Sequence, residues 1–425
     1  MSEKLHDVLG KNCSLNQVWI KKNKGFRYRL LPNEAQEIYL SNACGCKRKF
    51  YNEYVDRMIK KLESDNFENG KITYSKLGLP SPATLKKEFP FMKEIDSLVF
   101  CNAQIAFKNA LTKYNDNAYK KQYTKSALKK QKTIGKKLTF KDLKGLPTFK
   151  SKKDGYDSFT TNNQSTASGD TIKVEGNFIK IPKLKTPIKF IKHRELPPDG
   201  VIKNVTISKD SKGKFYISIN VEYYVLDKKV KINKAKVVGL DYSQNSFYYS
   251  SDGKIANYPK FYKKLEERLI KEQRKLSSKK YNSNNWLRQK KVINRLQTKI
   301  ANQRKDWLHK ESHHLAENYD AVIVEDLDLR NIAQCLSLGK NVHDNGFGMF
   351  RTFLKYKLED RGKLFIKIDK WFASSKMCSS CGHLHEELKL NDRTFVCPNC
   401  KLTINRDYNA SLNIEAEGLK MLGLE

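Results

Sequence analysis

The sequence predicts a multidomain protein of mixed α/β and α+β class. Three observations lead to this prediction. Apolar residues recur at helical spacing from about residue 33 to 130, several short strands separated by turn signals follow over 178–221, and a buried apolar strand near 237 is followed by long helices and further short strands. At 425 residues the chain can bury a large core and form two to four domains.

The N-terminal half starts with one strand and then becomes helical. The alternating segment 26–31 stops at Pro32, which predicts a strand followed by a helix from Asn33, and the helical spacing beyond it predicts an inserted helical subdomain. The basic run 120–144 has few apolar residues and predicts a linker that is either solvated or faces nucleic acid. The strands that follow predict a small barrel or sandwich, a shape that often grips oligonucleotides.

The C-terminal half alternates short buried strands with helices. Strand 236–241 ends in Asp241 and strand 320–325 ends in Glu325. The long helical segments between them, 262–276 and 286–315, predict a hairpin whose basic side faces phosphates or is merely solvated. A helix is expected over 347–358, a strand over 364–368 and a last helix over 407–416.

The charge of the chain predicts a polyanionic partner. Lysine and arginine number 82 against 46 acidic residues, a formal charge of +36, which exceeds what solubility requires. The basic residues are interspersed with 21 tyrosines and 21 phenylalanines, which favours nucleic acid over a membrane surface. No segment has the length and apolarity of a signal peptide or a membrane span, so we expect a cytoplasmic protein.

Four cysteines predict a structural zinc ribbon. Cys378 and Cys381 form one C-x-x-C pair, and Cys397 and Cys400 form a second pair after fifteen further residues. Each pair can turn both sulfurs towards the same ion, and a cytoplasmic setting disfavours disulfides, so one Zn²⁺ is expected. The other five cysteines are irregularly spaced and are expected to be buried free thiols: Cys13, Cys44, Cys46, Cys101 and Cys335.

Three acids predict the chemistry. Asp241 and Glu325 end strands, whereas Asp407 begins a helix after the cysteine pairs. Taken singly, a strand-end aspartate more often caps a turn than binds a metal ion. In this order, however, they match the way in which the RNase H-like fold gathers acids at one edge of its sheet. Such a cluster would hold two Mg²⁺ ions, with Mn²⁺ as a substitute, for in-line attack on a phosphodiester.

Eight segments together carry a resemblance to a known family. They are FRYRLLP (26–32), FMKEID (91–96), GLPTFK (145–150), VVGLDYS (237–243), QRKDWLH (303–309), VIVEDL (322–327), VHDNGFG (342–348) and the stretch 378–414. With these segments the chain resembles TnpB, a family of RNA-guided DNA endonucleases encoded by bacterial insertion sequences and related to type V CRISPR effectors. The likeness runs from about residue 24 to 414. Ser243 stands where many members have glycine, and the first 23 residues lack a clear counterpart.

The resemblance implies a domain plan. It comprises an N-terminal extension with the first barrel strand and helix start (1–46), a helical recognition domain (47–140), a β-barrel wedge domain (141–230) and a RuvC-like nuclease domain (231–425) with its zinc ribbon at 377–401. It implies that the three acids are catalytic and that the four paired cysteines bind zinc. It also implies that residues at two places contact DNA beside the target: Ser97, Cys101, Asn102, Thr161 and Asn162.

The function implied is RNA-guided cleavage of double-stranded DNA beside a short flanking motif. The guide would be an RNA derived from the transposon end, bound by a monomer near the bacterial nucleoid, with no membrane involved. One alternative is a nuclease-dead relative that represses transcription, but such relatives lose acids and all three are present here. Another is a transposase of RNase H-like fold, which would not be expected to carry a cysteine ribbon between its second and third acids.

Overall fold

The computed structural model describes residues 19–116, 123–152, 157–167, 169–227, 230–329, 331, 344–389 and 392–424. These residues form two compact units, which divide between residues 225 and 226. The first unit combines helices with a large sheet, and the second is an α/β structure. The predicted class, a mixed α/β multidomain protein, is therefore confirmed.

The first unit contains one sheet of seven strands in the order β2-β8-β9-β1-β7-β6-β5. Its helices lie between β1 and β2 along the chain, and β3 and β4 form a separate short ribbon. The strands are β1 (Trp19–Leu31), β2 (Asp157–Asn162), β3 (Ser165–Thr166), β4 (Gly169–Asp170), β5 (Lys173–Glu175), β6 (Phe178–Lys180), β7 (Ile188–Ile191), β8 (Val201–Lys209) and β9 (Phe215–Leu226). The helices are α1 (Glu34–Ser64), α2 (Pro82–Glu88), α3 (Ser97–Asn115) and α4 (Lys125–Ile134).

The start of helix α1 follows directly from its sequence. The Asn33 side chain accepts a hydrogen bond from the Gln36 backbone N–H at 2.9 Å, and the Gln36 side chain accepts one from the Asn33 N–H at 3.0 Å. This reciprocal cap satisfies two backbone donors that the first turn would otherwise leave free. Helix α1 then buries Phe50, whose ring lies 5.4 Å from that of Phe100 on α3. The predicted helix start at Asn33 is confirmed.

The linker predicted over 120–144 is wrong for residues 123–144. Helix α4 forms there, capped by the Thr124 side chain and ended by Gly135 in the left-handed conformation (φ 63°), and Phe140 and Leu143 are buried just beyond it. Ala127 is the only residue of α4 that is buried. The helix therefore lacks the apolar stripe that periodicity detects, and its caps were the available signal.

The second unit contains a five-stranded sheet in the order β12-β11-β10-β13-β14. Strands β10, β13 and β14 run parallel, and β11 and β12 are antiparallel additions at one side. Its strands are β10 (Val237–Tyr242), β11 (Tyr248–Ser250), β12 (Ile255–Ala256), β13 (Ala321–Glu325), β14 (Leu364–Ile368), β15 (Thr394–Val396) and β16 (Thr403–Asn405). Its helices are α5 (Phe261–Ser277), α6 (Asn284–Asn318), α7 (Phe347–Glu359) and α8 (Arg406–Leu422).

The two faces of this sheet are covered by different helices. Val238 and Leu240 of β10 belong to a core that includes Leu308 of α6 and Leu354 of α7. The alternate residues point to the opposite face, where the chain places α8. Two glycines allow that helix to approach closely. A Cβ atom on Gly239 would lie 2.4 Å from the Ser411 carbonyl oxygen, and one on Gly418 would lie 2.0 Å from the Ile323 side chain.

Candidate active site and cysteine cluster

Two of the predicted acids lie side by side at the carboxyl end of the parallel sheet. Strands β10 and β13 pair in register up to Leu240 opposite Val324, so the next position along both strands brings Asp241 beside Glu325. Neighbouring strands are about 4.8 Å apart, and residues in register point to the same face. That face is the one on which Gly239 approaches α8. Both carboxyl groups therefore lie on the side of the sheet that α8 covers.

The third acid reaches the same edge from the first turn of α8. The Asn405 side chain caps this helix by accepting a hydrogen bond from the Tyr408 N–H at 3.0 Å. Asp407 follows the cap and is 9% exposed. Its charge acts on Asp241, together with that of Glu325, so the three acids gather at this edge, although their carboxylate oxygens are not all within 4.8 Å of one another as the cysteine sulfurs are.

The electrostatics of the cluster are those of crowded carboxyl groups. Burial, reinforced by the charges of Glu325 and Asp407, raises the pKa of Asp241 well above its usual range. Burial also raises the pKa of Glu325. Arg406 approaches Asp407 at 3.1 Å and offsets only part of the repulsion on Asp241. Acids held together in this way favour a bound cation, and perturbed carboxyl groups of this kind concentrate at functional sites.

Residues that the sequence did not single out hold this edge in place. The Ser374 hydroxyl donates a hydrogen bond to Glu325 Oε1. Asn413 of α8 donates to the carbonyl oxygens of Ser374 and Met377, both at 2.7 Å. Asn409, one turn earlier, donates to Met377 O at 2.7 Å and accepts from the Ser379 N–H at 3.0 Å. Buried amides at positions i and i+4 of one helix need partners, and this signal in the sequence could have revealed them.

The four paired cysteines form one compact cluster. All four sulfur atoms lie within 4.8 Å of one another. The Cys378 and Cys400 sulfurs are 3.6 Å apart, as are those of Cys381 and Cys397. A tetrahedral zinc ion with Zn–S bonds of about 2.3 Å requires sulfurs about 3.8 Å apart, whereas a disulfide requires about 2 Å. The donor set and its spacing therefore fit zinc and exclude disulfides within the cluster.

The backbone around the cysteines has the form of two matching turns. Cys378 N–H donates to His383 O at 2.9 Å, and Cys397 N–H donates to Leu402 O at 2.9 Å. A hydrogen bond from the His383 backbone, the largest single effect, lowers the pKa of Cys381 to about 6. The pKa of Cys400 is raised to about 12, because the lowering effect of the Leu402 backbone hydrogen bond is outweighed by burial and by the other three cysteines. The side chains of His383 and His385 are not part of the cluster that the described residues form.

The five residues predicted to contact DNA lie together in the first unit, where α3 meets β2. Asn102 donates hydrogen bonds to Thr160 O at 3.1 Å and to Asn162 Oδ1 at 3.3 Å, and Lys86 donates to Ser97 Oγ at 2.9 Å. Thr161 is buried and its hydroxyl donates to Asp96. Cys101 is partly exposed on α3. The structure thus joins these residues in one patch, and their contact with DNA stays a prediction.

The prediction of buried free thiols is confirmed for Cys44 and Cys46, whereas for Cys101 the predicted burial is wrong. Cys44 and Cys46 are buried and Cys101 is partly exposed, all three as free cysteines. Burial raises the pKa of Cys44 to about 12, so this thiol is inert. Cys13 and Cys335 lie outside the described residues, as do residues 1–18 of the predicted N-terminal extension.

The fold and the site define a class: a multidomain protein with an acid cluster at the edge of an α/β sheet and a four-cysteine ribbon beside the last acid. Three family models match the chain: "Helix-turn-helix domain" at residues 22–66, "Probable transposase" at 218–336 and "Cas12f1-like, TNB domain" at 347–414. The fold is similar to that of the Cas12f1 chain in a cryo-EM structure of a Cas12f1–sgRNA–target DNA complex. That match has a TM-score of 0.51 and 14% identity, and covers 90% of this chain and 83% of that chain.

Two curated relatives cover nearly the whole chain. A protein of Streptomyces pristinaespiralis named "Putative RNA-guided DNA endonuclease" is 27% identical over an alignment of 405 residues that covers 93% of this chain and 89% of the relative. "Putative RNA-guided DNA endonuclease InsQ" of Escherichia coli (strain K12) is 29% identical over 419 residues, 95% of this chain and 94% of the relative. These matches confirm the resemblance to the TnpB family of transposon-encoded RNA-guided DNA endonucleases.

One of the family models differs from the fold at the residues that it matches. Residues 22–66, which match the helix-turn-helix model, form most of strand β1 and then one continuous helix α1 in this structure.

Among the described residues, no helix combines the length and apolarity needed to cross a membrane.

Proposed function

We propose that this protein is an RNA-guided DNA endonuclease of an insertion-sequence transposon, which hydrolyses double-stranded DNA beside a short flanking motif. The observation that carries the proposal is the convergence of Asp241, Glu325 and Asp407 at one sheet edge in a chain of +36 net charge. The names of the two relatives that span the chain support the RNA guide and the DNA substrate.

The acid cluster fits hard divalent cations, because its donors are carboxylate oxygens. Asp241, Glu325 and Asp407 would hold two Mg²⁺ ions, or Mn²⁺ in their place, which would activate water and stabilise the leaving 3′ oxygen. Within the chain, Ser374 fixes the orientation of the Glu325 carboxylate, and Arg406 balances part of the negative charge at Asp407. The Cys378, Cys381, Cys397 and Cys400 cluster would hold one structural zinc ion.

The domain assignment is part of the proposal. The second unit would act as the RuvC-like nuclease domain (231–425) with a zinc ribbon at 377–401. The N-terminal extension with its strand and helix start (1–46), the recognition helices (47–140) and the wedge barrel (141–230) would be formed mostly by the first unit. The accessible members of its patch, Ser97, Cys101, Asn102 and Asn162, would read the flanking motif, whereas the buried Thr161 would support them through its hydrogen bond to Asp96. The protein would act as a monomer on one transposon-derived RNA, in the bacterial cytoplasm near the nucleoid.

A transposase that joins DNA ends is the second candidate, because one matching family model is described as a probable transposase. Both functions would use a carboxylate cluster of this kind. They differ in the product, since an endonuclease leaves two free ends by hydrolysis and a transposase links one DNA to another. A repressor without nuclease activity is disfavoured, because all three acids are present and clustered.

Purified with RNA from its transposon end, the protein is expected to cleave matched double-stranded DNA in Mg²⁺ or Mn²⁺. Excess EDTA should stop cleavage, because the carboxyl groups alone cannot stabilise the charge that develops on the phosphate. The measurement is a cleavage time course on a plasmid, with and without RNA and metal. Full cleavage in EDTA would contradict the metal chemistry, and joined rather than linearised products would favour the transposase.

A further inference from the structure

Trp371 is a tryptophan held out into solvent beside the acid cluster. Its side chain is 80% exposed, the highest value among the large hydrophobic residues that the structure describes. Large aromatic side chains are normally buried, so an indole ring left in water is available to stack on a ligand. The Lys370 ammonium lies 4.7 Å from the ring centroid, which places a positive charge on the same small surface.

The backbone that carries Trp371 is firmly anchored on both sides. Ile368 precedes it in the core of the second unit, and Phe372 follows it against the same core. The Asp369 side chain accepts a hydrogen bond from the Trp371 N–H at 2.7 Å, and Asp369 O accepts one from the Phe372 N–H at 3.2 Å. The ring is thus presented by an ordered turn, so little conformational entropy would be lost on contact with a ligand.

This turn begins and ends beside Glu325. Ile368 pairs with Glu325 in the register of β14 and β13, and Ser374 donates its hydrogen bond to the Glu325 carboxylate. Trp371 lies three residues from each of these two points. Three residues span at most about 11 Å, so the ring can reach a nucleotide next to a phosphate held at the acid cluster.

We infer that Trp371 is a positioning residue on which an unpaired DNA base stacks, so that the strand to be cut lies across the acid cluster. A paired base has its faces covered by its neighbours, whereas an unpaired base can offer one face to an indole ring. The positively charged Lys370 side chain would contact the negatively charged phosphate next to the stacked base. This inference deepens the proposed function, on which it rests, by naming the side chain that would hold the displaced, single-stranded DNA.

The test removes the DNA base, the Trp371 ring or both, and compares the rates of cleavage. Guided cleavage is timed on DNA in which one abasic nucleotide is moved along the strand near the cut. For the native protein, one position is expected to slow cleavage roughly tenfold or more, the range that a single stacked base supports. Trp371→Ala should be slowed to a similar degree on intact DNA and should show no further loss at that position. Trp371→Phe should recover most of the rate, since it keeps an aromatic face.

Met421→Ala is the matched control, because Met421 is also exposed (56%) but lies at the far end of α8 from Asp407. It should cleave at the native rate. Thermal melts of Trp371→Ala should match the native protein, since the ring is not part of a core. Two outcomes would overturn the inference. In one, Trp371→Ala and the abasic nucleotide together slow cleavage by the product of their separate effects. In the other, the abasic nucleotide slows cleavage at no position.

A second measurement needs neither guide nor cleavage. Full-length protein carrying Asp241→Ala is irradiated with single-stranded oligothymidine that contains 5-bromodeoxyuridine, and the crosslinked residue is identified by mass spectrometry. A crosslink to Trp371 is expected with the single strand and not with a duplex of the same sequence. Equal crosslinking to duplex DNA, or to RNA in preference to DNA, would overturn the assignment. A crosslink to Trp371 in the Asp241→Ala variant, together with no guided cleavage by the native protein, would retain the stacking role and reject the proposed function.

Discussion

Asp241→Asn is expected to abolish DNA cleavage while stabilising the metal-free protein. Cleavage should fall by about a thousandfold or more, because metal ions held in place contribute several kcal/mol of transition-state stabilisation. The folded protein carries a raised pKa at Asp241 because of burial and the charges of Glu325 and Asp407. A raised carboxyl pKa makes folding less favourable as pH rises above the ordinary aspartate range, so the amide should increase the free energy of unfolding at neutral pH.

The measurements are a cleavage time course and thermal melts in EDTA and in Mg²⁺. Native protein should gain stability on adding Mg²⁺, and Asp241→Asn should gain much less. Glu325→Gln and Asp407→Asn should lose cleavage in the same way, with RNA and DNA binding retained, since phosphate contacts by lysine and arginine are separate.

Asp326→Asn is the matched control for these variants. Asp326 follows Glu325 directly but is half exposed and pairs with Lys367 at 2.7 Å. This variant should cleave normally, since a surface ion pair contributes little. Near-native cleavage by Asp241→Asn would remove that carboxylate from the mechanism.

Cys378→Ser is expected to have the second largest effect, through loss of zinc. Elemental analysis should find about one zinc per native chain and much less in the variant. Because structural zinc contributes on the order of 10 kcal/mol to the folding of small domains, the ribbon should unfold locally. Asn409 and Asn413 tie the ribbon to α8, and the same segment carries Ser374 to Glu325. Cleavage should therefore fall as well.

His383→Ala is the control for the zinc prediction. His383 lies within the ribbon loop, but its side chain is outside the cysteine cluster and only its backbone contacts Cys378. This variant should keep its zinc and its cleavage rate. A zinc-free Cys378→Ser protein with native cleavage would show that the ribbon does not support the acid cluster.

Much of the second unit was predictable because strands β10 and β13 are buried on both faces. Such strands appear in the sequence as short apolar runs, and a carboxylate at the end of a run is conspicuous. Strand 364–368 was predicted with the bounds that the structure has. Strand β1, in contrast, begins at Trp19 rather than Phe26, because residues 21–25 are polar or glycine and none is buried, so they carry no apolar alternation.

The contact between Ser374 and Glu325 was not predictable from one sequence. Ser374 lies 49 positions from Glu325, and nothing in either local segment indicates that the hydroxyl reaches the carboxylate. The register of β10 against β13, which brings Asp241 beside Glu325, likewise emerges only from pairing across more than 80 residues. Local patterns identify elements and unusual side chains, whereas long-range pairing decides which of them meet.

Rewriting the guide tests the central claim most directly. A +36 chain binds many nucleic acids at low salt, so binding alone does not demonstrate guidance. The protein is purified with RNA whose guide segment has been changed, and cleavage is mapped on DNA that contains both the old and the new matching sequences beside the flanking motif. We predict that cleavage moves to the new match and that mismatches near the motif impair it more than distal ones. A cut that stays at the old position, or that occurs without RNA, would contradict RNA guidance.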